Sequence, residues 1–176
     1  MLTSLGAASY IPQIEVAVGD PPAGALENNA IALVFRHLVD LSERDIELIK
    51  SFGTTNGIDI YLQPGGIDSV KKISNDSGKQ RLYYSLPAYS LKLGFHPMDF
   101  TQINGEMNIM IVDRVVEMLD LQEDDSVLDL FCGLGNFTLP IATKVNSVTG
   151  VEASQEMVER AKENASQNKH FNVKFF

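Results

Sequence analysis

A chain of 176 residues, 44% apolar and 21% charged, has room for one large or two small domains with a real core. Its single cysteine, Cys132, excludes internal disulfides and any cysteine-built zinc or iron–sulfur cage, and no apolar run approaches the length of a membrane span. A net charge of −9 weighs against a general nucleic-acid binder, and the N-terminus has no basic flank before an apolar core, so the cytoplasm is the expected location.

Residues 1–95 read as a small mixed α/β unit. Ile14–Val18 alternates as a strand, residues 19–24 (Gly-Asp-Pro-Pro-Ala-Gly) are turn material, and Ala30–Arg36 is a second strand. Ser42, with Asp45 three residues on, opens a helix from Glu43 to Phe52, with Ile46, Ile49 and Phe52 on one face and Gly53 and Asn56-Gly57 at its end. Residues 58–62, 82–85 and 91–95 alternate as further strands. Lys71, Lys72, Lys79 and Arg81 are the one basic cluster, in a stretch rich in Ser, Asn and Gly that suits a solvated hairpin loop or a phosphate-contacting one. His37 and Tyr83 are read as structural, and nothing in this half forms a catalytic constellation.

The run Phe95-His-Pro-Met-Asp-Phe-Thr-Gln-Ile-Asn104 precedes an amphipathic helix, Glu106 to Leu119, with Ile111, Val115, Met118 and Leu119 expected inward. In that run Gln102 and Asn104 alternate with Phe100 and Ile103, so a polar side chain can point toward a ligand. Next comes the most informative stretch. Val127–Phe131 is a short apolar strand broken by one acid, Asp129; it enters a Gly133-x-Gly135 turn, and a helical pattern follows from Phe137 to Val145. A strand turning sharply into a helix needs glycine's φ freedom and lacks a Cβ where a ligand approaches the backbone. The N–H groups of the new helix start attract polar or anionic groups.

The second strand, Ser147–Val151, ends at Glu152, 17 residues after Gly135, where an acid can accept hydrogen bonds from both hydroxyls of a ribose. The residue three after Gly135 is Thr138, so the third small residue of a dinucleotide fingerprint is missing. Asp-x-x-x-Gly-x-Gly followed by an acid on the next strand is instead the pattern of an S-adenosylmethionine (SAM) site. On this pattern alone a dinucleotide site and a purely structural strand-turn-helix stay open. Ser154 then caps a helix to about Asn168, with Met157, Val158, Ala161 and Ala165 inward, and residues 171–176 make a third strand. A β-α-β-α-β half-sheet stopping in its third strand reads as part of something longer.

Residues 99–104, the helix after them, residues 127–140 (Val-Leu-Asp-Leu-Phe-Cys-Gly-Leu-Gly-Asn-Phe-Thr-Leu-Pro) and residues 148–152 (Val-Thr-Gly-Val-Glu) closely resemble the RNA uridine C5-methyltransferases. The bacterial 23S rRNA 5-methyluridine branch is the nearest. The likeness is strong over residues 95–176 and looser over 14–63. It implies an α/β chain in two parts: residues 1–97, part of an RNA-facing central domain, and residues 98–176, the first half of a Rossmann-like SAM-dependent methyltransferase domain, truncated at its C-terminus. It further implies SAM contacts at Gln102, Phe131, Asn136 and Glu152, a loop shaped by Gly133 and Gly135, Asp129 as the motif acid, and Phe100 stacking on a flipped uracil. In this family a cysteine thiolate adds to C6 of the uracil and a general base later removes the C5 proton. Both are expected beyond Phe176, so the fragment should lack catalysis, and Cys132 is read as a packed small residue of the cofactor motif. A 4Fe–4S cluster belongs to the parent protein and not to this fragment. Ribosomal RNA (23S) is the implied partner, with no membrane and no obligate protein partner. A non-catalytic RNA- or nucleotide-binding module and an NAD-dependent oxidoreductase fragment are the alternatives.

Overall fold

The alternating run at Gln13–Gly19 (β1) pairs antiparallel with Ala30–Arg36 (β2) in the computed structural model, which describes residues 1–21, 29–74 and 81–176. The expected turn at 19–24 and Lys79 of the basic cluster fall wholly or partly outside the described residues. By their internal packing, Met1–Leu82 with His96–Asp99 form one unit and Tyr83–Phe95 with Phe100–Phe176 another.

In the first unit, β2 passes through α1 (Glu43–Asn56) to a parallel strand, β3 (Ile58–Gln63). Ser42 caps α1, its hydroxyl accepting the Asp45 N–H at 3.2 Å, and the buried Asp45 carboxylate accepts the Gly6 N–H at 2.8 Å. Leu5, Phe35, Ile49, Ile60 and Leu62 form the core between α1 and the sheet, with Ile46 packed against it. The helix does not stop at Phe52 but runs on to Asn56, where Gly57 closes it in the left-handed conformation (φ 65°). Gly53 is there for closeness and not for chain breaking: a Cβ on it would lie 2.5 Å from Ile60 Cγ1 and 2.8 Å from the Ile58 carbonyl oxygen. His37 is buried, its Nδ1 2.8 Å from the Val39 carbonyl oxygen.

The basic cluster is only partly a loop. Lys71–Lys72 (β4) pairs antiparallel with β3, and the Lys72 ammonium sits 2.8 Å from the Asp59 carboxylate with its side chain 12% exposed. That lysine is committed to the fold.

In the second unit, β5 (Leu82–Leu86) and β6 (Leu91–Phe95) form a hairpin, followed by α2 (Gly105–Met118), whose cap is Asn104. Then β7 (Ser126–Leu130), α3 (Thr138–Ala142), β8 (Ser147–Val151), α4 (Gln155–Gln167) and β9 (Val173–Phe175) alternate, the three strands forming a parallel sheet in the order β7-β8-β9. This is the β-α-β-α-β half-sheet anticipated from the glycine motif. The helix after the glycines is shorter than its apolar pattern, because the chain must return to β8 at Ser147. The third strand likewise shrinks to three residues.

The inward face of α2 differs from the expectation. Asn108, Val112 and Val116 are buried, whereas Ile111, Met118 and Leu119 are exposed. Apolar residues occur nearly all round this helix, so composition does not set its phase; the polar Asn108 lies on the buried stripe because it has a hydrogen-bonding partner, described below.

Helix α4 is docked by amides. Asn164, 2% exposed, accepts the Gly94 N–H at 2.8 Å through Oδ1 and donates through Nδ2 to the carbonyl oxygens of Gly94 (3.1 Å) and Leu134 (3.0 Å). One turn later, Asn168 accepts the Lys92 N–H and donates to the Lys92 carbonyl oxygen, both at 2.9 Å. The two side chains pair with β6 as a neighbouring strand would. Replacing Asn164 by Leu keeps the volume but strands three buried backbone groups, so stability in a urea titration should fall by about 3 kcal/mol or more. Asn168→Ala, at a less buried site, should cost about 1 kcal/mol.

Candidate functional site

The strand-to-helix turn after β7 departs from ordinary backbone at three places. Phe131 has φ 61° and is 86% exposed, Gly133 has φ 55° and Gly135 φ 98°. A bulky residue in the left-handed region costs about 1–2 kcal/mol, a strain that clusters at ligand-binding turns. The turn is closed from inside: Cys132 donates its N–H to the Val151 carbonyl at 3.1 Å, and Gly135 donates to the Cys132 carbonyl at 3.0 Å. Gly150 makes room for this arrangement, since a Cβ there would lie 2.7 Å from the Phe175 ring and 2.9 Å from Cys132 Sγ. Above Gly133 the space is open, an added Cβ meeting only Met157 Cε at 3.7 Å.

Two acids flank the turn and do different things. Glu152, at the tip of β8, accepts the Gly133 N–H through Oε2 at 3.0 Å and the Ser154 N–H through Oε1 at 3.1 Å. Each oxygen keeps a further lone pair, so the pair of oxygens can still receive two hydroxyls. Asp129 faces the start of α3, taking the Thr138 hydroxyl at 2.5 Å and also its backbone N–H; burial raises its pKa, partly offset by these bonds. The first turn of α3 is therefore already answered by an internal carboxylate. Of the polar or anionic groups expected at this helix start, the anionic place is taken by Asp129 itself. Residues 126–143 also contain no lysine or arginine. A diphosphate would meet a carboxylate and no cation, whereas a nucleoside cofactor without one fits the donor set.

Asn136 is held by its neighbours. Its Oδ1 accepts from the Tyr84 hydroxyl at 2.8 Å and from Asn108 Nδ2 at 3.0 Å, and its Nδ2 donates to Asn108 Oδ1 at 2.9 Å. Phe100, 79% exposed, and Gln102, also exposed, lie in the irregular segment before α2. No hydrogen bond among the described residues joins either to the glycine turn. The structure thus brings Asp129, Gly133, Gly135, Asn136 and Glu152 together around one turn.

Three residues important to this geometry lie outside the motif, Tyr84, Asn108 and Asn164; Thr138 lies within it, where its hydroxyl bond to Asp129 is a role the spacing did not assign. Asn108 and Asn164 leave a trace in the sequence, because an asparagine inside an apolar or small-residue helix stripe is a poor helix former with no reason to be there unless it has a buried partner.

Cys132 is 6% exposed, and burial, with the Asp129 and Glu152 carboxylates, pushes its thiol up to about 11. Among the described residues no group of three or more His, Cys, Asp and Glu side chains could hold a metal ion, and no helix is long and apolar enough to cross a membrane.

Residues 26–176 match the family model for tRNA (uracil-5-)-methyltransferases. A 23S rRNA (uracil(1939)-C(5))-methyltransferase of Alcanivorax borkumensis is 46% identical over 175 residues, 99% of this chain and 38% of the relative. The enzyme of the same name from Hahella chejuensis is 45% identical over 99% of this chain and 37% of its own length. The chain spans well under half the length of these curated relatives. Among solved structures, a tRNA (uracil-54, C5)-methyltransferase of Pyrococcus abyssi, in complex with S-adenosyl-L-homocysteine, superposes with a TM-score of 0.60 at 22% identity, over 84% of this chain and 35% of that one. This last likeness bears on the fold.

The raised thiol pKa makes a direct prediction. At pH 8 Cys132 of the folded chain should react with iodoacetamide at least about tenfold more slowly than in the urea-unfolded chain, with a rate still climbing at pH 10. A rate levelling off near pH 8.5 would mean an ordinary, accessible thiol.

Proposed function

The chain belongs to the tRNA (uracil-5-)-methyltransferase family, and from that premise we propose that it is the cofactor-holding part of an enzyme that methylates C5 of a uridine in 23S ribosomal RNA. The observation that carries the cofactor assignment is the pair of flanking acids. Glu152 keeps two oxygen lone pairs at the tip of β8, and Asp129 closes the helix start to phosphate. The curated relatives' names supply the rRNA and the uracil C5.

In this reading SAM supplies, when bound, an electrophilic methyl group. Glu152 receives the ribose hydroxyls, Gly133 and Gly135 keep the turn free of side chains, and Asn136, Phe131 and Gln102 contact the rest of the cofactor. Asp129 holds the start of α3 in place through Thr138. Phe100, with its ring exposed, stacks on the target base, an apolar face replacing the base's lost neighbours. Residues 1–82 serve as the RNA-facing part, and the unit of residues 83–95 and 100–176 as the start of the methyltransferase domain.

Cys132 is not the nucleophile: a thiol with its pKa near 11 and two carboxylates beside it offers almost no thiolate at neutral pH. The attacking cysteine, the general base and a 4Fe–4S cluster belong to the parent enzyme outside this chain, which works in the cytoplasm on 23S rRNA without an obligate protein partner. The NAD-dependent alternative is disfavoured by Asp129. The RNA-binding-module alternative loses Lys72, which pairs with Asp59.

Calorimetric titration with S-adenosylhomocysteine tests the reading. Weak binding, at most, is expected for the unaltered chain, and NAD should give no heat. Glu152→Ala should weaken binding about tenfold or more, with Glu152→Gln between the two, because a carboxamide keeps one acceptor for a hydroxyl. An unchanged affinity in Glu152→Ala would remove the ribose assignment.

A further inference from the structure

Tyr84 stands on β5 and Asn108 on α2, and neither belongs to the glycine motif or to the run at 100–104. Both converge on Asn136. Asn108 and Asn136 exchange two hydrogen bonds, Nδ2 to Oδ1 in each direction, at 3.0 and 2.9 Å. Such a reciprocal pair of amides is degenerate: turning both carboxamides over preserves both bonds. The Tyr84 hydroxyl breaks the tie. It donates to Asn136 Oδ1 at 2.8 Å, and a phenol is a much better donor than acceptor. Burial pushes the Tyr84 phenol well above the usual range, so it keeps its proton at working pH.

With Tyr84 in place both lone pairs of Asn136 Oδ1 are used, and one of its two amide hydrogens is used. Asn136 is only half-buried, and its Nδ2 makes a single bond among the described residues, to Asn108 Oδ1, which leaves one amide hydrogen without a partner. We propose that Tyr84 and Asn108 are positioning residues for the cofactor turn, orienting Asn136 so that it offers a ligand a single amide hydrogen and no acceptor. The ligand atom facing Asn136 is then an acceptor, such as a carboxylate or ring nitrogen. This deepens the SAM reading and rests on it.

The test uses the 176-residue chain and Tyr84→Phe, which removes only the hydroxyl, with Asn108→Ser as the second variant. Amide hydrogen exchange needs no ligand. Exchange at Gly135, Leu139 and Ile141, whose N–H groups bond within the turn and from α3 back to it, should quicken about fivefold to tenfold in either variant, while β8, residues 147–151, keeps its protection. S-adenosylhomocysteine affinity should fall by about fivefold to tenfold in each variant. In an Asn136→Ala background Tyr84→Phe should have no further effect, a coupling that simple loss of stability would not produce. If both variants exchange at these three amides like the unaltered chain, the positioning role is overturned, whatever the affinities. If exchange quickens but the unaltered chain binds no S-adenosylhomocysteine, the positioning of Asn136 stands and the cofactor reading falls. Additive losses in the Asn136→Ala background would also overturn the proposal.

Discussion

The second unit depends on the placement of one carboxamide. Asn164 sits on α4 with almost no solvent contact and spends its hydrogen bonds on two other elements: the N–H and C=O of Gly94 in the hairpin and the C=O of Leu134 in the glycine turn. A buried amide left without partners is strongly unfavourable, so the three elements satisfy it together or the site does not form. Hairpin, helix and glycine turn are thereby located by the same few atoms. Gly94 has its own reason for lacking a side chain, since a Cβ there would come within 3.1 Å of the Tyr83 ring and 3.4 Å of Asn164 Oδ1.

The turn itself is held from several directions before any ligand arrives. Glu152 fastens Gly133, Asp129 and Thr138 fasten the start of α3, Asn164 fastens Leu134, and Asn108 with Tyr84 fastens Asn136. Every one of these contacts is a neutral hydrogen bond or one to a carboxylate; none uses a cation. A preorganised turn does not have to be ordered at the moment of binding, which is the usual advantage of rigidity in a site. The negative charge on both flanks also sets its chemistry, favouring a ligand that brings hydroxyls or positive charge over one that brings phosphate.

Much of this architecture is legible in the sequence because it follows from local rules. Alternation at 14–18 and 58–62 and the apolar run at 30–36 gave away three strands within a residue of their ends, and the glycine spacing with Glu152 gave away the parallel half-sheet. What stayed hidden depends on neighbours distant in the chain. Gly53 reads as a helix end until Ile60 and the Ile58 carbonyl are seen pressing against it. Lys72 reads as a solvated charge until Asp59 appears opposite. The phase of α2 cannot be read where apolar residues surround the helix, and Tyr84 carries no local mark of its role at all. Polar residues in helix interiors were the overlooked signal: Asn108 marks the buried side of α2 where the hydrophobic residues beside it do not, and Asn164 marks the same side of α4 as Val158, Ala161 and Ala165.

The way α4 grips the hairpin bears on how the two could diverge. Asn164 and Asn168 contact main-chain N–H and C=O groups at positions 92 and 94, which every non-proline residue carries. The joint itself asks nothing of the side chain at 92, whereas the two asparagines can be exchanged for almost nothing; Leu91, Leu93 and Phe95 of the same strand are fixed separately, by burial. Constraint is unequally divided across this contact, resting on the backbone of the hairpin and on the side chains of the helix.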